Sequence, residues 1–462
     1  MEHVVGMDDA ALKGRGEYLP IVLDTRALIN GHMLFAGMSG MGKSHQIARL
    51  LAAASRQGVE ADVFDPHEEL DGVPGSVAVK FSEATRAGYN PLELSLDPHS
   101  GGVRRQISLL IDMINRTSRS LGPRQETALR NLLLDVYRAR GIDADDSSTW
   151  RRSSLREAQF YRMIQERDYS GLKNYYPILQ DVLSYAERKL KALTLGSDFM
   201  AVNALEKVER SASRIQTIQT KYRKADSDEE VERLQTQLGA EKVKAIEAYT
   251  NFINAIETGR EYQDALKYTN KDTLISVVER LQALLHCGIM RSNPPEWGGA
   301  KVRVHKVGSL SDDDRKLLFF TRAQAILREC MDAGKSDDVR RMILVDEGHL
   351  YYSEDGDNPL NRIAKEGRKF GLSLVVGSQS PTHFSEDFLT NCGSIFLLGI
   401  HENYWPMAVS KLNMTKTQLT AVRAQEVLLA KLRMKGSEAS QFVAVNVSQP
   451  TVDAGLRHLM AA

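Results

Sequence analysis

Gly37-Met38-Ser39-Gly40-Met41-Gly42-Lys43-Ser44 places three glycines, a lysine and a hydroxyl at the spacing of a phosphate-binding loop, G-x-x-x-x-G-K-[ST]. Glycines let the backbone turn its N–H groups toward phosphate oxygens, and the N-terminus of a following helix adds its dipole. Lys43 is placed to neutralise the β and γ phosphates, and the Ser44 hydroxyl to ligate Mg²⁺. His45, next in the chain, is grouped with these residues as nucleotide-contacting. The expected ligand is Mg·ATP.

A second constellation lies roughly 300 residues on. Arg340-Arg341-Met342-Ile343-Leu344-Val345-Asp346-Glu347 is an apolar run ending in two carboxylates. In phosphate-loop enzymes the first such carboxylate holds the magnesium shell and the second polarises the attacking water. Asp65, in Phe64-Asp65-Pro66-His67-Glu68-Glu69, ends another apolar run. It either joins the water or metal shell or holds its own loop. Other nucleotide-hydrolysing classes fit less well. Thr273 stands where the guanine motif N-K-x-D needs aspartate after Asn270-Lys271-Asp272, and no L-S-G-G-Q occurs. Asp346-Glu347-Gly348-His349 matches the DExH form of a helicase motif, but no Q-x-x-G-R-x-G-R follows.

These residues need a scaffold, and the apolar patterning predicts one. His32 to Ala36 reads as a buried strand, Lys43–Gln57 as an amphipathic helix stopped by Gly58, and Val59 to Asp65 as a second strand. Beyond Lys301, Val302–Val307, Met342–Val345, Ser373–Ser378 and Ser394–Leu398 suit strands, the last three as central parallel ones. Ser311 and Asp314 cap a helix running to about Ala333. Val427–Leu432 and Phe442–Val447 flank Lys435-Gly436-Ser437, which predicts an antiparallel hairpin at the sheet edge. The expected class is α/β, with a first part of the core over 1–144, an all-α insertion over 145–300, and a second part with a tail over 301–462.

Within the insertion, Ser154-Leu155-Arg156-Glu157 has capping-box spacing. An apolar stripe runs from Leu205 through Val208, Ala212, Ile215, Ile218 and Tyr222. A polar break at 225–228 separates it from Val231, Leu234, Leu238, Ala245 and Phe252. This predicts a helical hairpin with arms on the order of 35 Å. The stripes either pack on each other and their neighbours or form an arm that docks a partner.

Bulk composition narrows the function classes. Hydrophobic residues make up 42% and charged residues 26% of 462 residues, ordinary for a globular chain too long for a single common core. Sixty basic residues balance sixty acidic ones, so any nucleic-acid surface is a local patch or a lumen. Cys287, Cys330 and Cys392 lie far apart without metal-ligand spacing, which suits a reducing, cytoplasmic setting. No stretch approaches the roughly 18 apolar residues of a membrane helix, so no direct membrane insertion is expected.

Taken together, the motifs resemble the HerA/FtsK superfamily of DNA-pumping ATPases, nearest its HerA branch, over about 18–95 and 300–447. Leu19 to Leu23 and His32 look like that branch's lead-in to the phosphate loop. Phe64 to Leu70 is similar to its D-P-H-G-E-Y, with Glu68 in place of glycine and Leu70 in place of tyrosine. Asn90 to Leu94 matches as well, and so does the run 346–349. Glu366-Gly367-Arg368-Lys369-Phe370-Gly371 leading to Ser378-Gln379-Ser380-Pro381 resembles G-R-K-F-G followed by T/S-Q-R-P, with Ser380 in place of arginine. The resemblance implies a RecA-like core in a hexameric ring, with ATP between subunits and duplex DNA through the centre. It implies Gln379 as the γ-phosphate sensor and Arg368 as the finger reaching a neighbour's ATP. About 30 residues precede the phosphate loop, too few for the branch's amino-terminal barrel, and the membrane helices usual in conjugation coupling ATPases are also missing. The reading is a DNA translocase. A secretion or conjugation ATPase and a regulatory scaffold ATPase are the rivals.

Overall fold

Short apolar runs bracketed by glycine and charge become the strands of a single 11-stranded sheet. They are β1 (Glu2–Asp8), β2 (Pro20–Asp24), β3 (Met33–Ala36), β4 (Glu60–Asp65), β5 (Ser76–Lys80), β6 (Val302–Lys306), β7 (Ser336–Val345), β8 (Phe370–Ser378), β9 (Ser394–Leu397), β10 (Val427–Leu432) and β11 (Val443–Asn446). The computed structural model describes all residues except 98, 100, 118, 196, 224–226, 255–266, 269–270, 438–439 and 462. It divides into one unit of Met1–Tyr89 with Gly288–Ala462 and a second of Asn90–Cys287.

The sheet belongs to the first unit, in the order β2-β1-β11-β10-β9-β3-β8-β7-β4-β6-β5. From β9 to β5 every pairing is parallel, and from β9 to β2 every pairing is antiparallel. The central strands β3, β8 and β9 are almost wholly buried, as their unbroken apolar runs require when both faces are covered. The helix Lys43–Arg56 buries Ile47, Leu50, Leu51 and Ala54, one helical face, in a cluster with Phe35, Val63, Leu344 and Val375. Gly58, at φ 77, ends it in the left-handed conformation. The helix Asp312–Asp332 starts where expected, with the Ser311 hydroxyl accepting from the Asp314 N–H.

The carboxyl-terminal hairpin forms as β10 and β11, but it is not the sheet edge. β1 pairs with β11 and β2 with β1, so an amino-terminal hairpin supplies the edge. Glu2 before Val4 and Val5, and Asp8 with Asp9 directly after Met7, leave an apolar run too short to announce that strand in the sequence. Only Val5, Gly6 and Met7 are buried in it.

The second unit is helical. Pro123–Ala139 packs with Val103–Thr117, Leu179–Leu195 and Lys271–His286. The unit therefore begins at Asn90, earlier than the compositional change near 145. The capping box at Ser154 does not form: Leu155 is fully buried with Phe160 and Met163, Arg156 stays extended, and the helix starts at Glu157. The predicted hairpin is present as Ser197–Tyr222 and Asp228–Asn254, each about 40 Å long. Contacts of Tyr222 with Gln235 and Arg214 with Glu241 make it antiparallel. Val231, Leu234, Leu238, Glu241, Ala245, Ala248 and Phe252 line its seam at alternating steps of three and four, the coiled-coil repeat.

Candidate nucleotide site

The order β3-β8-β7-β4 brings four strand ends together at the carboxyl edge of the parallel sheet, where open α/β sheets bind ligands. β3 ends in the phosphate loop, which is stitched to both flanking strands. Gly37 N–H donates to the Ser378 carbonyl and Met38 N–H to the Gly399 carbonyl, each at 2.9 Å. Gly40 and Gly42 take φ of 80 and 93, conformations that side chains resist, so the loop curls before the helix starts at Lys43. No atom lies within 4 Å of where a Gly40 Cβ would stand, which leaves an open cradle above the loop. Ser39, Gly40 and His45 are exposed, and Met38, Met41 and Ser44 half-buried. The His45 side chain thus points to solvent. Its backbone N–H belongs to the first helical turn, whose donors lack intrahelical acceptors.

Lys43 is buried, and its Nζ lies 2.7 Å from Glu347 Oε1 and 2.9 Å from Asp346 Oδ1. Burial alone would lower its pKa, but the two carboxylates outweigh burial and hold it above the ordinary lysine value. Asp346 and Glu347 follow the fully buried Met342–Val345. Asp346 fits only because residue 377 on β8 is glycine, since a Cβ there would stand 2.3 Å from Asp346 Oδ1. Glu347 adopts φ 50, a left-handed conformation uncommon for a side-chain-bearing residue. Glu347 Oε2 is buried without a hydrogen bond, and Asp346 Oδ1 has only the ammonium that it shares with Glu347. Buried polar atoms are usually fully paired, so two carboxylates sharing one ammonium are poised for a ligand.

The open role of Asp65 resolves toward structure. Its carboxylate accepts from the backbone N–H of His67, Glu68 and Leu70, at 3.2, 2.9 and 2.8 Å. Burial raises its pKa, Asp346 adds to the rise, and those three donors oppose it. Glu68, at the glycine position of the motif, takes φ 60, the conformation for which glycine is the usual choice.

Gln379 is exposed, one residue beyond β8 and on the same edge as Lys43, Asp346 and Glu347. Arg368 is also exposed but precedes β8, so the strand's nine residues, about 30 Å, separate it from that edge. The structure groups all the predicted site residues except Arg368.

Three further groups join the site. The Ser44 hydroxyl donates to Glu69 Oε2 at 2.6 Å, and Gln425 Nε2 donates to the Gly40 carbonyl at 3.2 Å. His67, Asp346 and Glu347 offer ligand atoms within 4.8 Å of one another, so they could hold a cation. His67 and Glu69 lay inside a quoted motif, but Gln425 carried no local signal. The donor set of hydroxyl and carboxylate oxygens, in which two carboxylates share a single ammonium, fits Mg²⁺.

Fold and site together define a P-loop ATPase with a RecA-like core. Residues 11–297 match the family described as Helicase HerA, central domain, and the chain belongs to it. The match takes in the phosphate loop and the whole helical unit and stops before β6. The DNA double-strand break repair helicase HerA of Pyrococcus furiosus is 36% identical over 63 residues, covering 13% of this chain and 11% of that protein. Its namesake in Sulfurisphaera tokodaii is 27% identical over 114 residues, 22% of each. The aligned part thus spans about a tenth of the first relative and about a fifth of the second. The solved structure of VirB4 of Thermoanaerobacter pseudethanolicus superposes with a TM-score of 0.57 at 16% identity, over 96% of both chains. Among the described residues, no helix is long and apolar enough to cross a membrane.

Proposed function

We propose that this ATPase moves DNA, working as a homo-oligomeric ring, in its simplest form a hexamer around a duplex. Within one subunit Lys43 holds the β and γ phosphates, the backbone of Gly37–Ser44 and His45 cradles them, and Ser44 with Asp346 holds Mg²⁺. Bound Mg²⁺ supplies charge neutralisation at the phosphate oxygens. Glu347 takes a proton from the attacking water, and Gln379 senses the γ-phosphate.

The observation that carries the ring is the position of Arg368. An exposed guanidinium about 30 Å from its own phosphate loop cannot serve its own ATP, but it can serve a neighbour's when subunits pack edge to edge. Cys287, Cys330 and Cys392, far apart in the chain and without metal-ligand spacing, fit a reducing compartment, and we place the protein in the cytoplasm. A second reading, in which a protein partner drives the ATPase, draws on Val243, Ile246, Tyr249 and Ile253, exposed on the outer side of the helical hairpin. Stimulation of hydrolysis by duplex DNA alone favours the translocase.

The test of the ring mixes two variants. Arg368→Ala should load nucleotide but lose on the order of 10³–10⁵ in rate, the worth of a finger acting in trans. Lys43→Ala should neither hold the phosphates nor turn over. In mixed rings some interfaces pair an intact Lys43 with an intact Arg368, so activity should return. Near-normal activity of Arg368→Ala, or silence of the mixture despite proven co-assembly, removes the shared site.

A further inference from the structure

We infer that His349 and His383 form a two-ring bridge that positions Glu347 and ties it to the end of β8. The inference rests on the reading of Glu347 as the residue that activates water.

Glu347 Oε1 is engaged by Lys43 Nζ, while Oε2 is buried and makes no hydrogen bond. His349 Nδ1 faces that Oε2 at 3.3 Å and is likewise buried without a hydrogen bond. Two complementary atoms this close and both unmatched need only a small ring rotation to bond. The need for such a bond arises when nucleotide binds. Lys43 is then drawn to phosphate, Oε1 loses its ammonium, and the carboxylate must be aimed by something else. His67 Nε2 stands farther away, 3.9 Å from Oε1, on a side chain that is half exposed.

His349 does not stand alone. Its ring lies against His383, with centroids 4.7 Å apart, and Tyr404 meets His383 edge-on at 5.7 Å. His383 Nδ1 is 3.1 Å from the hydroxyl of Ser378, the last residue of β8. That hydroxyl is fully buried and also reaches the Ser380 carbonyl at 3.3 Å. Gln379 stands between those two residues. A displacement of the β8 end therefore moves His383 and, through its ring contact, His349. Both histidines are positioning residues, since neither touches the reacting atoms.

Single-turnover hydrolysis and fluorescent-nucleotide binding test the bridge in His349→Ala, His349→Gln and His383→Asn. We expect His349→Ala to slow hydrolysis by about tenfold to a hundredfold, the cost of a misplaced catalytic group, with nucleotide affinity unchanged. His349→Gln, which keeps a donor for Oε2, should recover most of that rate. His383→Asn, which loses the ring contact, should slow hydrolysis several-fold. In a Glu347→Gln background His349→Ala should cost nothing further. Equal losses in both backgrounds, a fall in affinity matching the fall in rate, or a His349→Ala rate within twofold of normal would each overturn the bridge. If His349→Ala does not fold, the other two variants decide by the same criteria. A wild-type protein without ATPase activity would instead sink the functional reading.

Discussion

Asp62 and Asp346 sit on β4 and just beyond β7, neighbouring strands of one sheet, and both are shut away from solvent. Their surroundings follow opposite rules. Asp62 Oδ2 takes Arg341 Nη2 at 2.8 Å and Nε at 3.0 Å, with Arg303 Nη1 at 3.4 Å, and Oδ1 takes Arg322 Nε at 3.3 Å. Glu329 pairs with both Arg322 and Arg341, and Glu60 with Arg303. Three carboxylates thus meet three guanidinium groups, and none of these groups has a buried atom left unpaired. Around Asp346 a single ammonium, Lys43, faces two carboxylates, and Glu347 Oε2 lacks a hydrogen bond. Closed, balanced networks hold structure. An unbalanced one with excess negative charge is costly when empty and is relieved by added positive charge. The difference marks which cluster is scaffold and which is site.

Breaking the site should show in rate and hardly in stability. Glu347→Gln removes one of the two excess carboxylates, so the fold should be as stable as before or slightly more so. Hydrolysis should fall by roughly 10²–10⁴, the contribution of a positioned base, while ATP still binds. Turnover within a few-fold of wild type would show that Glu347 is not the water-activating carboxylate.

Breaking the scaffold should do the reverse. Asp62→Ala leaves three arginines facing two glutamates in a buried cluster. Removing one partner from such an arrangement costs about 3–5 kcal/mol. Denaturant unfolding should detect this, with the ATPase rate of the folded fraction little changed. A loss under about 1 kcal/mol would mean that the cluster is hydrated and not a closed network.

Acid acts first on buried histidines, one of which, His305, lies beside Asp62. Burial depresses His305 to about 4, with Arg322 adding to the shift and Asp62 opposing it. Burial likewise takes His32 and His3 to about 4, helped by Arg368 for the first and by Arg49 and Arg56 for the second. A histidine depressed on folding is neutral in the native state, so the unfolded chain binds protons first as pH falls. Stability from these rings is complete above about 6.5 and lost as pH drops toward 4, on the order of a kcal/mol or two per ring at pH 5. Burial pushes Asp62 the other way, but Arg322, Arg341 and Arg303 outweigh it and hold its carboxyl well below the usual range. Its contribution is therefore intact in that window and fades only below about 3.9. Unfolding curves at pH 7.5 and pH 5 should show the loss. Identical curves would mean that the histidines are not buried neutral.

Much of the site could be read in the sequence because its chemistry is local. The phosphate loop is a contiguous octet, and the carboxylate pair ends a strand whose apolar residues announce it. The helical hairpin declared itself by apolar stripes at spacings of three and four on either side of a polar break. The Asp62 network stayed hidden because its members, at 60, 62, 303, 322, 329 and 341, come from three strands and a helix with no shared spacing. Gln425 and His383 were missed for the same reason: each acts across the fold on a residue distant in the chain or on another loop. The start of the helical unit escaped because Val103–Thr117 and Pro123–Ala139 have the amphipathic pattern of any helix flanking a sheet.

The smallest effect is expected from Tyr89→Phe, which trims the scaffold by one neutral hydrogen bond. The Tyr89 hydroxyl lies 2.7 Å from His305 Nε2, deep in the unit, while His305 Nδ1 is engaged with the Val63 carbonyl at 3.1 Å. Phenylalanine keeps the ring that stacks on Phe81 and lies under the Arg322 guanidinium, whose carbon is 5.0 Å from the ring centre. The substitution therefore isolates the hydroxyl. A buried neutral hydrogen bond contributes about 1 kcal/mol net, and the ring nitrogen left unpaired adds to the cost, so a loss of about 1–2 kcal/mol is expected. The ATPase rate should not change, because the site and this network share no residue. A loss as large as that of Asp62→Ala would mean that the hydroxyl anchors the ion cluster itself. No loss at all would mean that His305 finds another partner and the network is less closed than its geometry implies.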